Sequence, residues 1–216
     1  MILKLTNQTI DTFLDALANT EPTPGGGSTA ALQGALAASL IEMVAAASTK
    51  KKGLEAHIPR LQAIADSAKQ WRSRLQEGIN EDATAYTLVV SAYRLPKETD
   101  PQKTARSEAI QSALKEAASV PLENARACAT LLPLAIELTQ IGNPNMITDA
   151  AVAAQAALAG AHGALLNVVI NLDGIKDEDW RSSVAGEVSS LQSQLGVEAH
   201  SLNEAIRAIT QEKVAT

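Results

Sequence analysis

The sequence is short of aromatic residues. Among 216 positions only Phe13, Trp71, Tyr86, Tyr93 and Trp180 carry a ring larger than imidazole. A core of any size must then be filled by Ala, Leu, Ile and Val, and alanine-rich segments favour helices that pack closely. Cys128 is the one cysteine, which excludes an internal disulfide and a cysteine metal cluster and fits a reducing cytoplasm. Basic residues are not in excess. The net charge of −6 argues against a nucleic-acid partner, which would call for a basic face. Met1 to Thr6 lacks the basic and apolar regions of a signal peptide. Two runs, 29–48 and 150–170, approach membrane-span length. Both are dominated by alanine, which adds little to insertion, and both carry amide or ionisable side chains, so no membrane span is expected. Zinc-ligand spacing, a complete nucleotide-binding glycine signature and a Ser-His-Asp set are all missing. Except for Ile2 to Leu5, nothing reads as a strand.

What the chain has instead is helical periodicity. Residues 7–18 place Ile10, Phe13, Leu14 and Leu17 on one face. Pro22-Thr23-Pro24 is read as extended and feeds Gly25-Gly26-Gly27, after which Ser28 or Thr29 opens an alanine-rich helix to Ser48. That helix is apolar all round apart from Gln33 and Glu42, so it should be buried all round. Lys50-Lys51-Lys52-Gly53 is the expected stop, with cations near a helix C-terminus and a glycine after it. A long stripe follows from Glu55 to about Leu95, through Ile58, Leu61, Ile64, Ala68, Trp71, Leu75, Ile79, Asp82, Tyr86, Val89 and Tyr93. Thr99-Asp100-Pro101 reads as a cap and first turn. Pro121 and Pro133 mark kinks or new starts. A loop at Gly142-Asn143-Pro144-Asn145 leads to a second alanine-rich helix, capped by Thr148 or Asp149 and running to Asn171. Asp177 opens a last helix with Trp180, Val184, Val188, Leu195, Leu202 and Ile209 on one face. Two central alanine-rich helices ringed by longer amphipathic ones give an all-α, single-domain bundle over residues 1–216.

Few residues stand out chemically. Asp82 lies on an apolar stripe, where a buried carboxylate is costly unless paired. It is either a stripe-edge or ion-paired residue or a functional one. Glu42 reads as a rim position or a structural ion pair. Asn167 and Asn171 share a helix face and either tie helices together or meet a ligand. Asn143 and Asn145 alone read as turn chemistry. His162 reads as structural, and His57 and His200 as surface residues. The glycine run lacks the lysine of a phosphate-binding loop. A glycine-rich entry to a helix N-terminus still offers backbone N–H groups to an anion.

Four segments taken together resemble the cyclodeaminase/cyclohydrolase family of folate enzymes: Pro22–Ala31, Asp82–Lys97, Ser119–Leu122 and Gly142–Asn171. Each is weak alone, and their order along the chain is specific. The resemblance implies an all-helical homodimer acting on a small-molecule tetrahydrofolate, with no separate cofactor and no metal. It implies closure of 5-formiminotetrahydrofolate to 5,10-methenyltetrahydrofolate with release of ammonia, or, in relatives, hydrolysis of the methenyl ring. Asp82 matches the family's catalytic aspartate. Gly25, Gly26, Gly27, Ser28, Asn143, Asn145, Asp149, Asn167 and Asn171 match segments expected to line the folate site. Lys50, Lys51 and Lys52, or Arg94 with Lys97, are candidates to receive the anionic glutamate tail by charge. Three positions depart from the pattern: Thr148 replaces a usual Ser, His162 a small or apolar residue, and Gly53 an aromatic. The competing classes are a non-catalytic helical interaction module and a folate carrier. A single site requires Gly26 to lie within about 20 Å of Asp82, a generous multiple of hydrogen-bond reach.

Overall fold

The computed structural model describes residues 4–214, with side chains described as far as residue 211. Six α-helices carry the fold: α1 (Ile10–Ala18), α2 (Gly26–Ser48), α3 (Ile58–Tyr93), α4 (Asp100–Ile141), α5 (Ile147–Leu172) and α6 (Glu178–Val214). Short 3-10 turns at Leu5–Asn7, Glu55–His57 and Pro144–Met146 join them. No strand occurs among the described residues. Of the stretch suggested as a strand, Ile2 and Leu3 lie outside the described residues, and Leu5 begins a 3-10 turn.

Alanine content sets the architecture. α2 and α5 run antiparallel at the centre and approach so closely that a Cβ on Gly160 would fall 2.9 Å from the Ala30 carbonyl oxygen. α3 and α4 pack against this pair, and α6 lies against α4 and α5. Cys128 sits where α2, α4 and α5 meet, in contact range of Gly34 and Gly160. Burial pushes its thiol up to about 12, so it behaves as a small apolar filler rather than a nucleophile.

Several expectations change. α2 is not buried all round, because Leu36 and Met43 are exposed on its outer face. Ile10 and Leu14 of α1 are exposed too, and only Phe13 of that stripe is fully covered. α2 starts at Gly26 with Gly25 as N-cap. Ser28 is therefore not the cap; it lies in the first turn with a buried side chain. α5 starts at Ile147 with Met146 before it, so neither Thr148 nor Asp149 caps it. Asn143 instead caps the preceding 3-10 turn, its side-chain oxygen accepting from the Asn145 N–H. Neither proline breaks α4, which is continuous with Pro121 and Pro133 inside it. Thr99 and Gln102 form a reciprocal capping box at its start. Glu42 is a structural partner of Arg72 at 2.8 Å.

The stripe of α3 changes character halfway. Leu61, Ile64, Ala68, Leu75 and Ile79 are buried as the spacing predicts. Beyond Ile79 the covered residues are Ala85 and Ala92, while Tyr86 and Tyr93 are exposed. Ala85 packs against Ala117 and Val120 of α4, a contact that small side chains permit. The face bearing Asp82 and Tyr86 is left to line an opening.

Candidate active site

That opening is a cleft of about 320 Å³ between the start of α2, the C-terminal part of α3 and the end of α5. Gly25, Gly26 and Gly27 line one side, Asp82 and Tyr86 another, Asn167 and Asn171 a third. A larger hollow of about 550 Å³ flanks Asn80, Glu77 and Glu81 on the outer side of α3.

Asp82 is held from α2. The Ser28 hydroxyl lies 3.0 Å from Asp82 Oδ2 and 3.0 Å from the Ile79 carbonyl oxygen, so its single proton is shared between two acceptors. The Ser28 backbone N–H also acts on the carboxylate. Burial nevertheless outweighs both bonds and raises the Asp82 proton affinity above the ordinary aspartate value. Gly27 precedes Ser28 for a steric reason: a Cβ there would lie 2.6 Å from Asp82 Cγ. Gly26 faces Asn167, whose side-chain nitrogen would meet its Cβ at 3.4 Å. Gly27 thus admits a carboxylate to the helix start, which is close approach of side chain to backbone rather than an anion cradle, while at Gly26 the amide stands at ordinary contact distance.

The two asparagines are anchored by their own helix. Asn167 Nδ2 donates to the Gly163 carbonyl at 2.8 Å. Asn171 Nδ2 donates to the Asn167 carbonyl at 2.8 Å and, across helices, to the Ala117 carbonyl at 2.9 Å. Of the alternatives left open for this pair, the tie between helices is present, Asn171 joining α5 to α4, and both residues line the cleft.

Gly25, Gly26, Gly27, Ser28, Asp82, Asn167 and Asn171 form one constellation. Asn143, Asn145 and Asp149 do not join it within one protomer. The Asn143 N–H donates to Ser48 Oγ at 2.8 Å, at the opposite end of α2, about 33 Å from Gly26 at 1.5 Å rise per residue. Lys50, Lys51 and Lys52 are exposed at that same far end. Arg94 is exposed at the C-terminus of α3. Lys97 lines a separate basic hollow of about 390 Å³ with Tyr93, Lys103, Arg106 and Lys176. His162 is exposed on α5 and His200 on α6, beside Glu204. The cleft residues that sequence reasoning did not single out are Ala117, whose carbonyl holds Asn171, and Tyr86 and Ile170 on the walls. Their signal lay only in the register between helices, which spacing within one helix does not reveal.

A half-buried carboxyl of raised proton affinity at a glycine-lined helix start is a group that can exchange protons with whatever enters the cleft. Residues 9–190 match the formiminotransferase-cyclodeaminase family, and the chain belongs to that family. It is 39% identical over 208 residues to a methenyltetrahydrofolate cyclohydrolase of Methylorubrum extorquens, covering 96% of this chain and 98% of that protein. It is 31% identical over 195 residues to the formimidoyltransferase-cyclodeaminase of Sus scrofa, of which it spans 36%. The crystal structure of a formiminotetrahydrofolate cyclodeaminase from Thermotoga maritima superposes with a TM-score of 0.85 at 30% identity. That likeness covers 96% of this chain and all of the other.

Proposed function

We propose that this chain is a cytoplasmic enzyme of tetrahydrofolate one-carbon chemistry, working at the carbon that bridges N5 and N10, with Asp82 moving the protons. The observation that carries this reading is the half-buried Asp82 carboxyl, held by Ser28 and raised in proton affinity by burial. A carboxyl whose proton affinity is raised by burial is the better placed both to take and to return a proton.

Two reactions use that property at one site. In hydrolysis, water adds to the methenyl carbon and gives one proton to Asp82. The C–N5 bond then breaks, N5 receives that proton, and the hydroxyl proton passes to solvent as the formyl group forms on N10. In ring closure, N10 attacks the formimino carbon of the neutral amidine, and Asp82 carries the N10 proton to the amidine nitrogen. A second proton, taken up from solvent through Asp82, leaves with that nitrogen as ammonia. Likeness over the full length at 39% identity supports hydrolysis of 5,10-methenyl- to 10-formyltetrahydrofolate as the principal activity. The cyclodeaminases at 30–31% identity support ring closure as the second reading.

A homodimer belongs to this reading. Leu36 and Met43 of α2 and Val152, Leu166, Val169 and Ile170 of α5 are exposed apolar side chains spread along the two central helices, and exposed apolar surface of this kind suits a partner. A two-fold axis crossing the middle of α2 would set the partner's Asn143, Asn145, Asp149 and lysine triplet against this copy's Gly26 end. That geometry supports roles for those residues at a shared site. It also accounts for the long apolar α2 and α5 without a membrane. For the glutamate tail the hollow at Lys97, Lys103, Arg106 and Lys176 is the better receptor, since Tyr93 on its wall follows Asp82 on the same helix by about 16 Å.

The experiment is an absorbance assay for methenyltetrahydrofolate with the methenyl and formimino substrates in separate reactions, each as mono- and polyglutamate. Loss of methenyl absorbance is expected in the first. Binding without turnover of either substrate would establish a carrier instead. Equal kcat/KM for the two tail lengths would remove the tail site.

A further inference from the structure

Pro121 lies inside α4, buried and without an N–H. The carbonyl four residues earlier, that of Ala117, therefore has no helical donor from position 121. Asn171 of α5 supplies a donor instead, its Nδ2 lying 2.9 Å from the Ala117 oxygen and 2.8 Å from the Asn167 oxygen. Both amide protons are spent. The same two carbonyls settle which end of the amide is nitrogen, because the flipped amide would set Oδ1 against two carbonyl oxygens. Oδ1 is then the polar atom that Asn171 has left for the cleft it lines with Asp82, and it can only accept.

We infer that Pro121 is a positioning residue: by withholding its N–H it leaves the Ala117 carbonyl short of its helical donor, so that this carbonyl binds the Asn171 amide the more strongly, and that amide presents an acceptor to an N–H edge of the bound ligand. The ligand class follows from that polarity, since a ligand must meet Asn171 with a donor such as a ring N–H or exocyclic amine. Taking that donor as the N–H edge of a reduced pterin rests on the function proposed above. In most buried helices a proline costs a hydrogen bond and returns nothing. Here the orphaned carbonyl is used.

The test is a double-mutant cycle on the full chain with Pro121→Ala, Asn171→Ala and the pair. Dissociation constants for 5-formyltetrahydrofolate are read by calorimetry, with melting temperature, kcat and KM alongside. The Pro121→Ala variant regains a backbone N–H at that position, so its melting temperature should hold or rise. Folate binding and KM should weaken about five- to tenfold with kcat within twofold. In the Asn171→Ala background Pro121→Ala should have no further effect on binding. Wild-type affinity in a folded Pro121→Ala variant, or full additivity of the two effects, overturns the inference. Should Pro121→Ala not fold, Asn171→Asp decides. It keeps an acceptor oxygen but cannot donate to Ala117, so it should bind as poorly as Asn171→Ala, and wild-type affinity overturns the inference. Failure of the wild-type protein to bind 5-formyltetrahydrofolate refutes the folate reading itself, and with it the pterin edge. Binding without the expected coupling refutes this inference alone.

Discussion

At the scale of the residue, Asp82 is set by three opposed effects. Two bonds from Ser28 favour its charged form, burial favours the neutral one, and burial prevails. The carboxyl sits where it does because Gly27 leaves it room. In Gly27→Ala the new methyl would overlap the Asp82 carboxyl, which must rotate away or drag α3 outward. Turnover should fall at least a hundredfold, the lower end of an acid–base contribution, with far-ultraviolet dichroism retained. A variant within threefold of wild type would show that Asp82 need not hold its observed position. Asp82 was legible in the sequence as a polar break in an apolar stripe, and the glycines as an unusual run. Why Gly27 must be glycine was not legible, because the clash it avoids is with Asp82, far away in the sequence.

At the scale of the element, the two long outer helices separate packing from charge. α6 is tied to α4 by Arg126 with Glu187, a pair a third or more exposed on both sides, and by fully buried Leu195 and Leu202. Exposed pairs contribute about 0–1 kcal/mol, whereas truncating a buried leucine costs about 2–5 kcal/mol. Leu195→Ala should therefore lower the unfolding free energy by several times as much as Arg126→Ala in urea titrations. Near-equal losses would mean that charge holds α6 in place. Neither variant touches the cleft, and both should keep wild-type KM. Helix existence and type were readable from periodicity and caps, with Thr99 and Asp177 the clearest: the Asp177 side chain accepts from the Trp180 N–H as an N-cap. Continuity through Pro121 and Pro133 was not readable. Local propensity opposes it, and only tertiary contacts such as Asn171 with the Ala117 carbonyl offset the missing donor. The first turns of α2 and α5 misled for different reasons: the Ser28 hydroxyl is spent on Asp82 and the Ile79 carbonyl of α3 rather than on a cap, and the 3-10 turn capped by Asn143 comes before α5, so neither Thr148 nor Asp149 is its cap.

At the scale of the whole molecule, the sequence predicted one all-helical bundle with two central alanine-rich helices, and the structure has that form. Burial on all sides was the error, and it is informative. The outer faces of α2 and α5 remain apolar and uncovered, as a second copy would require. Leu36→Glu with Leu166→Glu should turn a dimer into a monomer in sedimentation velocity and abolish turnover while leaving helicity intact. A wild-type protein that is monomeric and active would remove the shared site and leave Asn143, Asn145 and Asp149 without a role there.

The central claim is that Asp82 carries the protons at the bridging carbon, and the direct measurement is the rate of methenyltetrahydrofolate turnover by Asp82→Asn beside wild type. The replacement keeps size and an acceptor oxygen and removes the titrating proton. The account predicts a folded, folate-binding protein whose kcat is about two to four orders of magnitude lower, the span of an acid–base group. A kcat within a few-fold of wild type would contradict it.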